Sequence, residues 1–107
     1  QMTKDLRIRK TFSDESEFKN KLNTLRTKID VVDHKLIETL GKRMQIADDI
    51  GGLKKANNVA ILQAKRWNEI LGKMILQGEE RNLSEEFILK VFKAIHQESI
   101  QHQKNVE

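Results

Sequence analysis

The run from Leu22 to Ala56 limits what this chain can become. Leu22, Leu25, Ile29, Val32, Leu36 and Leu40 succeed one another at spacings of three or four, which puts them on one face of a single helix. The seam continues through Arg43, Ile46, Ala47, Ile50, Leu53 and Lys54, with Arg26 beside it near the start. Gly51 and Gly52 interrupt it, each costing about 1 kcal/mol relative to alanine inside a helix. Because Ile50, Leu53 and Lys54 hold the phase, and paired glycines allow close backbone approach, the helix is expected to continue to about Ala56. Asn57 and Asn58 supply the stop.

Such a helix has an architectural consequence. About 40 residues at 1.5 Å rise make a rod of about 60 Å, whereas a compact domain of this size has a radius of gyration of about 13 Å. Two shorter helices cannot cover it, so the stripe is expected to bury against another chain, in a homodimer with the long helices paired.

Cations on that seam raise a second question. A charge on a buried stripe is costly to desolvate unless an anion meets it, so Arg26, Arg43 and Lys54 together suggest a pocket for a small anion. The alternative is that each runs its stem over apolar surface to reach water.

The remainder reads as two shorter helices. Residues 1–13 are polar and basic, with Leu6, Ile8 and Phe12 as the apolar exceptions, and are expected to be a tail or an interdomain linker ahead of a domain at 14–107. Ser13, Asp14, Glu15 and Glu17 resemble a helix start, which is expected between Ser13 and Lys19. The second helix is expected from Ile61 to about Gln77, with Ala64, Trp67 or Asn68, Leu71, Met74 and Ile75 inward and Gly78 closing it. Ser84 is expected to cap a third, with Glu85 and Glu86 in its first turn. The apolar face of Phe87, Ile88, Val91, Phe92 and Ile95 extends at the same spacing to Ser99 and Gln103, which either serve a site or fray at the chain end.

Composition narrows the chemistry. Cysteine is absent, which excludes disulfides, thiolate zinc sites and a thiol nucleophile. His34, His96 and His102 have no helical ligand spacing, so no metal is assigned and no cofactor is expected. The net charge is +4, but the basic residues are interleaved with sixteen acids, which argues against nucleic acid as partner. No apolar run approaches the roughly 18 residues of a membrane span, and QMTKDLRIRK lacks the apolar core of a signal peptide. A cytoplasmic protein without membrane contact is expected.

The stretch LNTLRTKIDVVDHKLIETLGKRMQIADDIG, then Lys54, ILQAKRW and IHQESIQHQ fall in register with one family. From about Leu22 to Gln103 the chain resembles the all-helical, type II chorismate mutases, which implies an all-α fold of one long and two shorter helices in an intertwined homodimer with shared active sites. By that resemblance Arg26 enters the partner's site to hold one substrate carboxylate and Arg43 binds the other. Lys54 contacts a carboxylate and the ether oxygen whose bond breaks. Arg66 lines the site from the second helix, Ser99 binds a carboxylate, and Gln103 donates to the ether oxygen. Two positions depart from the pattern. Trp67 stands where a glutamate commonly binds the substrate hydroxyl, and Gln63 where an aspartate is common, so Trp67 is expected either as a pocket wall or as core packing, and binding is expected either to be weaker or to use Gln63 as a substitute contact.

The implied reaction rearranges chorismate, a small dianion, to prephenate in aromatic amino-acid biosynthesis. This pericyclic step needs no nucleophile, proton transfer or cofactor. It gains from holding the reactive conformer and from donors where charge grows on the ether oxygen. Arginine suits the first task through paired bonds to carboxylates; Lys54 and Gln103 suit the second. Alternatives are isochorismate pyruvate lyase on the same fold and a non-enzymatic helical dimer that binds nucleic acid. The family also occurs fused to other shikimate-pathway enzymes, including 3-deoxy-7-phosphoheptulonate synthase, from which residues 1–13 would be the linker.

Overall fold

The computed structural model describes residues 12–106. Three helices occur there in the order α1 (Phe12–Ala56), α2 (Ala64–Glu79) and α3 (Glu85–Asn105), with no strand among the described residues. The fold class is all-α, as the periodicity requires. None of these helices is long and apolar enough to cross a membrane. Residues 1–11, most of the expected tail and including Leu6 and Ile8, lie outside the described residues. The chain divides into two units, at residues 1–39 and 40–107.

In the first unit the described residues are all helical. The helix begins at Phe12, just ahead of the expected window, so Ser13 lies within it; Asp14 and Glu15 occupy the first turn, where carboxylates suit the positive end of the dipole. Local bonds support it, including the i,i+4 pair Glu17–Lys21 at 3.0 Å and a bond from Thr24 Oγ1 to the Asn20 carbonyl at 2.9 Å. Leu25, Ile29, Val32 and Leu36 are each more than half exposed in this chain.

The second unit holds the rest of α1 with α2 and α3. Helix α1 runs through Gly51 and Gly52 to Ala56, and the reason is packing. A Cβ on Gly51 would lie 2.6 Å from Gln103 Cα and 2.7 Å from its carbonyl oxygen, so glycine lets the α3 backbone come that close. The helix then stops where the asparagines are. Asn58 takes φ 56°, Val59 N–H donates to the Lys54 carbonyl at 2.8 Å and Asn58 N–H to that of Lys55 at 3.3 Å, the two bonds of a Schellman ending.

Helix α2 departs from expectation at both ends. It starts at Ala64 rather than Ile61, since Gln63 is extended, at φ −127° and ψ 102°, and the Ile61 carbonyl accepts from Lys54 Nζ at 2.7 Å. Gly78 does not close it. The left-handed residue is Asn82, at φ 62°, with Leu83 N–H donating to the Gly78 carbonyl at 2.9 Å, a second Schellman ending. Gly78 is instead buried against α3, where a Cβ would come within 2.7 Å of Ile88 Cγ1.

Ser84 caps α3 as expected, its hydroxyl accepting from Phe87 N–H at 3.1 Å, and Glu85 and Glu86 sit in the first turn. Ile88 is buried and Val91, Phe92 and Ile95 half-buried, but Phe87 is exposed and Leu89 turns partly inward instead. The helix persists to Asn105, so Ser99 and Gln103 are in regular helix rather than a frayed end.

Candidate active site

Within the second unit, three segments enclose a cavity of about 420 Å³, a size suited to a small ligand. Helix α1 contributes Arg43, Ile46, Ala47, Ile50 and Lys54, whose three- and four-residue steps hold them on one face. Helix α3 contributes His96, Ser99, Ile100 and Gln103; the start of α2 and the loop before it contribute Ile61, Gln63, Arg66, Trp67 and Ile70. Seven residues singled out in the sequence, Arg43, Lys54, Gln63, Arg66, Trp67, Ser99 and Gln103, thus line one space. Arg26 does not join them: it is exposed on the first unit's part of α1.

The lining carries three cations and no carboxylate. Arg43 donates through Nη1 to Ser99 Oγ, and Ser99, only 5% exposed, donates its own hydroxyl hydrogen bond to the Ile95 carbonyl at 2.9 Å. The serine therefore orients the guanidinium without neutralising it. Burial lowers the Arg43 pKa, and repulsion from Arg66 adds to that; a guanidinium stays protonated all the same. Among the described residues neither Arg43, Lys54 nor Arg66 has a carboxylate partner. Arg43 and Lys54 are half-buried and Arg66 is exposed at the mouth, and uncompensated charge on the first two favours an anionic ligand.

Lys54 is held by the Ile61 carbonyl at 2.7 Å and by Gln103 Oε1 at 3.1 Å. Since an ammonium can only donate, the Gln103 carbonyl faces Lys54, which leaves the amide Nε2 free to donate elsewhere. The cavity is thus built to give hydrogen bonds.

Sequence reasoning missed His96, which stacks on Trp67 with centroids 4.1 Å apart. The signal was present, for His96 precedes Ser99 by three residues and Gln103 by seven, on the same face of α3. Its pKa is lowered by burial and then by Arg43, so it is neutral at neutral pH.

A second histidine does the opposite beside the site. His102 Nδ1 meets Asp48 Oδ1 at 2.8 Å and Nε2 meets Glu98 Oε2 at 3.2 Å. Its pKa is raised, chiefly by the hydrogen bond to Asp48. A group whose pKa is higher folded than unfolded stabilises the fold fully below its unfolded value of about 6.5 and loses that contribution as pH rises through the folded value. The melting temperature of the parent is therefore expected to lose ground to that of His102→Gln as pH rises from 6 toward 8. A constant difference across that range would show that the cluster contributes nothing through protonation.

The sequence profile of the family described as chorismate mutase type II matches residues 25–104. Among relatives, the bifunctional chorismate mutase/prephenate dehydratase of Buchnera aphidicola subsp. Acyrthosiphon pisum is 33% identical over 87 residues, 81% of this chain and 23% of that protein. The protein of the same description from Escherichia coli (strain K12) is 28% identical over 81 residues, 76% of this chain and 21% of its own length. The chain thus spans less than a quarter of these relatives. The chorismate mutase of Methanocaldococcus jannaschii is 27% identical over 85 residues, 78% of this chain and 86% of that one. The match covers α1 from Leu25 through nearly all of α3, and with it every residue of the cavity, so the chain belongs to the type II chorismate mutase family.

Proposed function

We propose that this domain is an isomerase that converts chorismate to prephenate. The observation that carries the reading is the convergence of Arg43, Lys54 and Arg66, without a carboxylate, with the free amide donor of Gln103 on one cavity. In the substrate a carbon–oxygen bond breaks while a carbon–carbon bond forms, with no proton to move. Arg43, oriented by Ser99, and Arg66 hold carboxylates, which fixes the reactive conformer. Lys54 and Gln103 Nε2 donate to the ether oxygen as negative charge grows there. Nothing in this division of labour calls for a metal or cofactor. Incubation with chorismate and identification of the product is the test: prephenate supports the reading, while pyruvate formation from isochorismate without prephenate from chorismate would replace it with the lyase.

The active form in this reading is a homodimer. Supporting it, Leu25, Ile29, Val32 and Leu36 are more than half exposed in the single chain, and burying the exposed part of four such side chains is worth roughly 3–7 kcal/mol. Arg26, on the same stretch, would complete the partner's cavity. Sedimentation is expected to give a dimer at micromolar concentration. Mixing inactive Arg26→Ala with inactive Lys54→Ala protein is expected to restore activity, because one site in each mixed dimer receives both intact residues. A stable, active monomer, or no recovery after verified subunit exchange, would reject the shared site. A partner enzyme of the same pathway, on the same chain or separate, is also part of this proposal, in line with the bifunctional relatives.

A further inference from the structure

The cavity has a neutral patch among its cations. Trp67, in the first turn of α2, and His96, on α3, stack with planes 18° from parallel, and both are half-buried where they line the cavity. Among the described residues neither the indole N–H nor an imidazole nitrogen has a hydrogen-bond partner. The neutral imidazole, favoured by burial and by Arg43, has one nitrogen that donates and one that accepts. Stacking restrains the ring plane, so both nitrogens are presented within that plane.

Acceptors are scarce elsewhere in the lining. Arg43, Lys54, Arg66 and the indole can only donate. Ser99 Oγ is engaged by Arg43, and Gln103 Oε1 by Lys54. Each of these oxygens thus already accepts one bond, and the side-chain acceptors of the lining that accept none are Gln63 and His96. Gln63 is exposed and makes no capping bond, so a ligand using it must freeze a freely rotating amide, at a cost in entropy. His96 is already held.

We propose that His96 is a substrate-contacting, specificity-determining residue, whose stacked imidazole accepts the hydrogen bond of the substrate's alcohol group and so selects a hydroxylated dianion over the same dianion lacking that hydroxyl. This rests on the chorismate mutase reading. It assigns the carboxylates and the ether oxygen to the donors of the cavity, and the ligand's one uncharged hydrogen-bond donor to the stacked, uncharged imidazole.

The test compares chorismate with its analogue carrying hydrogen in place of the ring hydroxyl. The parent is expected to favour chorismate in kcat/KM by about 2- to 12-fold, the span of one neutral hydrogen bond. His96→Phe keeps a stacking ring without the nitrogens, and in it the preference is expected to vanish; in Gln63→Ala the preference is expected to persist. A preference unchanged in His96→Phe, or lost in Gln63→Ala alone, overturns the assignment. Should His96→Phe fail to fold by circular dichroism, the imidazole resonances of His96 in the parent decide: a shift with chorismate that the deoxy analogue does not reproduce supports the proposal, and equal shifts overturn it. A parent that converts chorismate without discriminating overturns this inference alone, whereas a parent that converts neither compound overturns the functional reading together with it.

Discussion

Lys54→Ala is expected to lower kcat for chorismate by about 10²- to 10³-fold, the usual loss when one donor to a developing oxyanion is removed, with the helical content retained. Two bonds make the effect larger than the loss of a positive charge alone. The ammonium reaches Gln103 Oε1 at 3.1 Å and the Ile61 carbonyl at 2.7 Å. Without it the Gln103 amide is free to turn its oxygen toward the substrate, replacing a donor with an acceptor, and the loop that leads into α2 loses its tie to α1. Steady-state kinetics separate these contributions. Loss of the transition-state donor appears in kcat, and loss of carboxylate binding appears in KM. A Lys54→Ala enzyme with kcat within about tenfold of the parent, well short of the usual donor effect, would remove Lys54 from the chemistry and leave it a structural tie.

Gly51→Ala is expected to be the most damaging substitution of a residue that does not itself donate to the substrate. The added carbon would sit 2.6 Å from Gln103 Cα and 2.7 Å from its carbonyl oxygen, both main-chain atoms, so no rotamer change relieves the clash and α3 must move away from α1. Overpacking of this kind costs about 1–3 kcal/mol, against which alanine regains about 1 kcal/mol of helix propensity. The larger consequence falls on catalysis, because Gln103 moves with its backbone and a displacement of about 1 Å in a positioned group can cost about 10²-fold. Gly72 provides the contrast. It is also helical, but a Cβ there meets nothing within 4 Å, so Gly72→Ala is expected to raise the melting temperature, with a gain of about 0.5–1 kcal/mol. Thermal melts and kinetics on the two variants check both claims. Normal activity in Gly51→Ala would show that the register of α1 and α3 tolerates the shift.

Much of this domain follows from local chemistry along the chain. The three- and four-residue steps from Leu22 to Leu40 and the caps at Asn58 and Ser84 involve residues within a turn or two of each other, so they are readable without knowing any long-range contact. The same periodicity brought Arg43 and Lys54 to one face of α1 and Ser99 and Gln103 to one face of α3, which is why the candidate site was legible before its walls were known. Gly78 was misjudged for a related reason. Glycine serves either a left-handed turn or a close contact, and its neighbours in sequence do not reveal which; Asn82 takes the turn, and Gly78 makes room for Ile88.

Other features depend on the approach of helices far apart in sequence. That Gly51 admits the backbone of Gln103, that Ser99 orients Arg43, and that Lys54 holds both the Ile61 carbonyl and Gln103 Oε1 are matters of ångström-scale separation between elements, which no periodicity encodes. His96 shows the limit most clearly. A histidine on an apolar stripe carries no sign of whether it is packed, charged or functional, because that depends on what faces it. Here the Trp67 ring stacks on it, and burial, with repulsion from Arg43 added, favours the neutral imidazole in the wall of an otherwise cationic cavity.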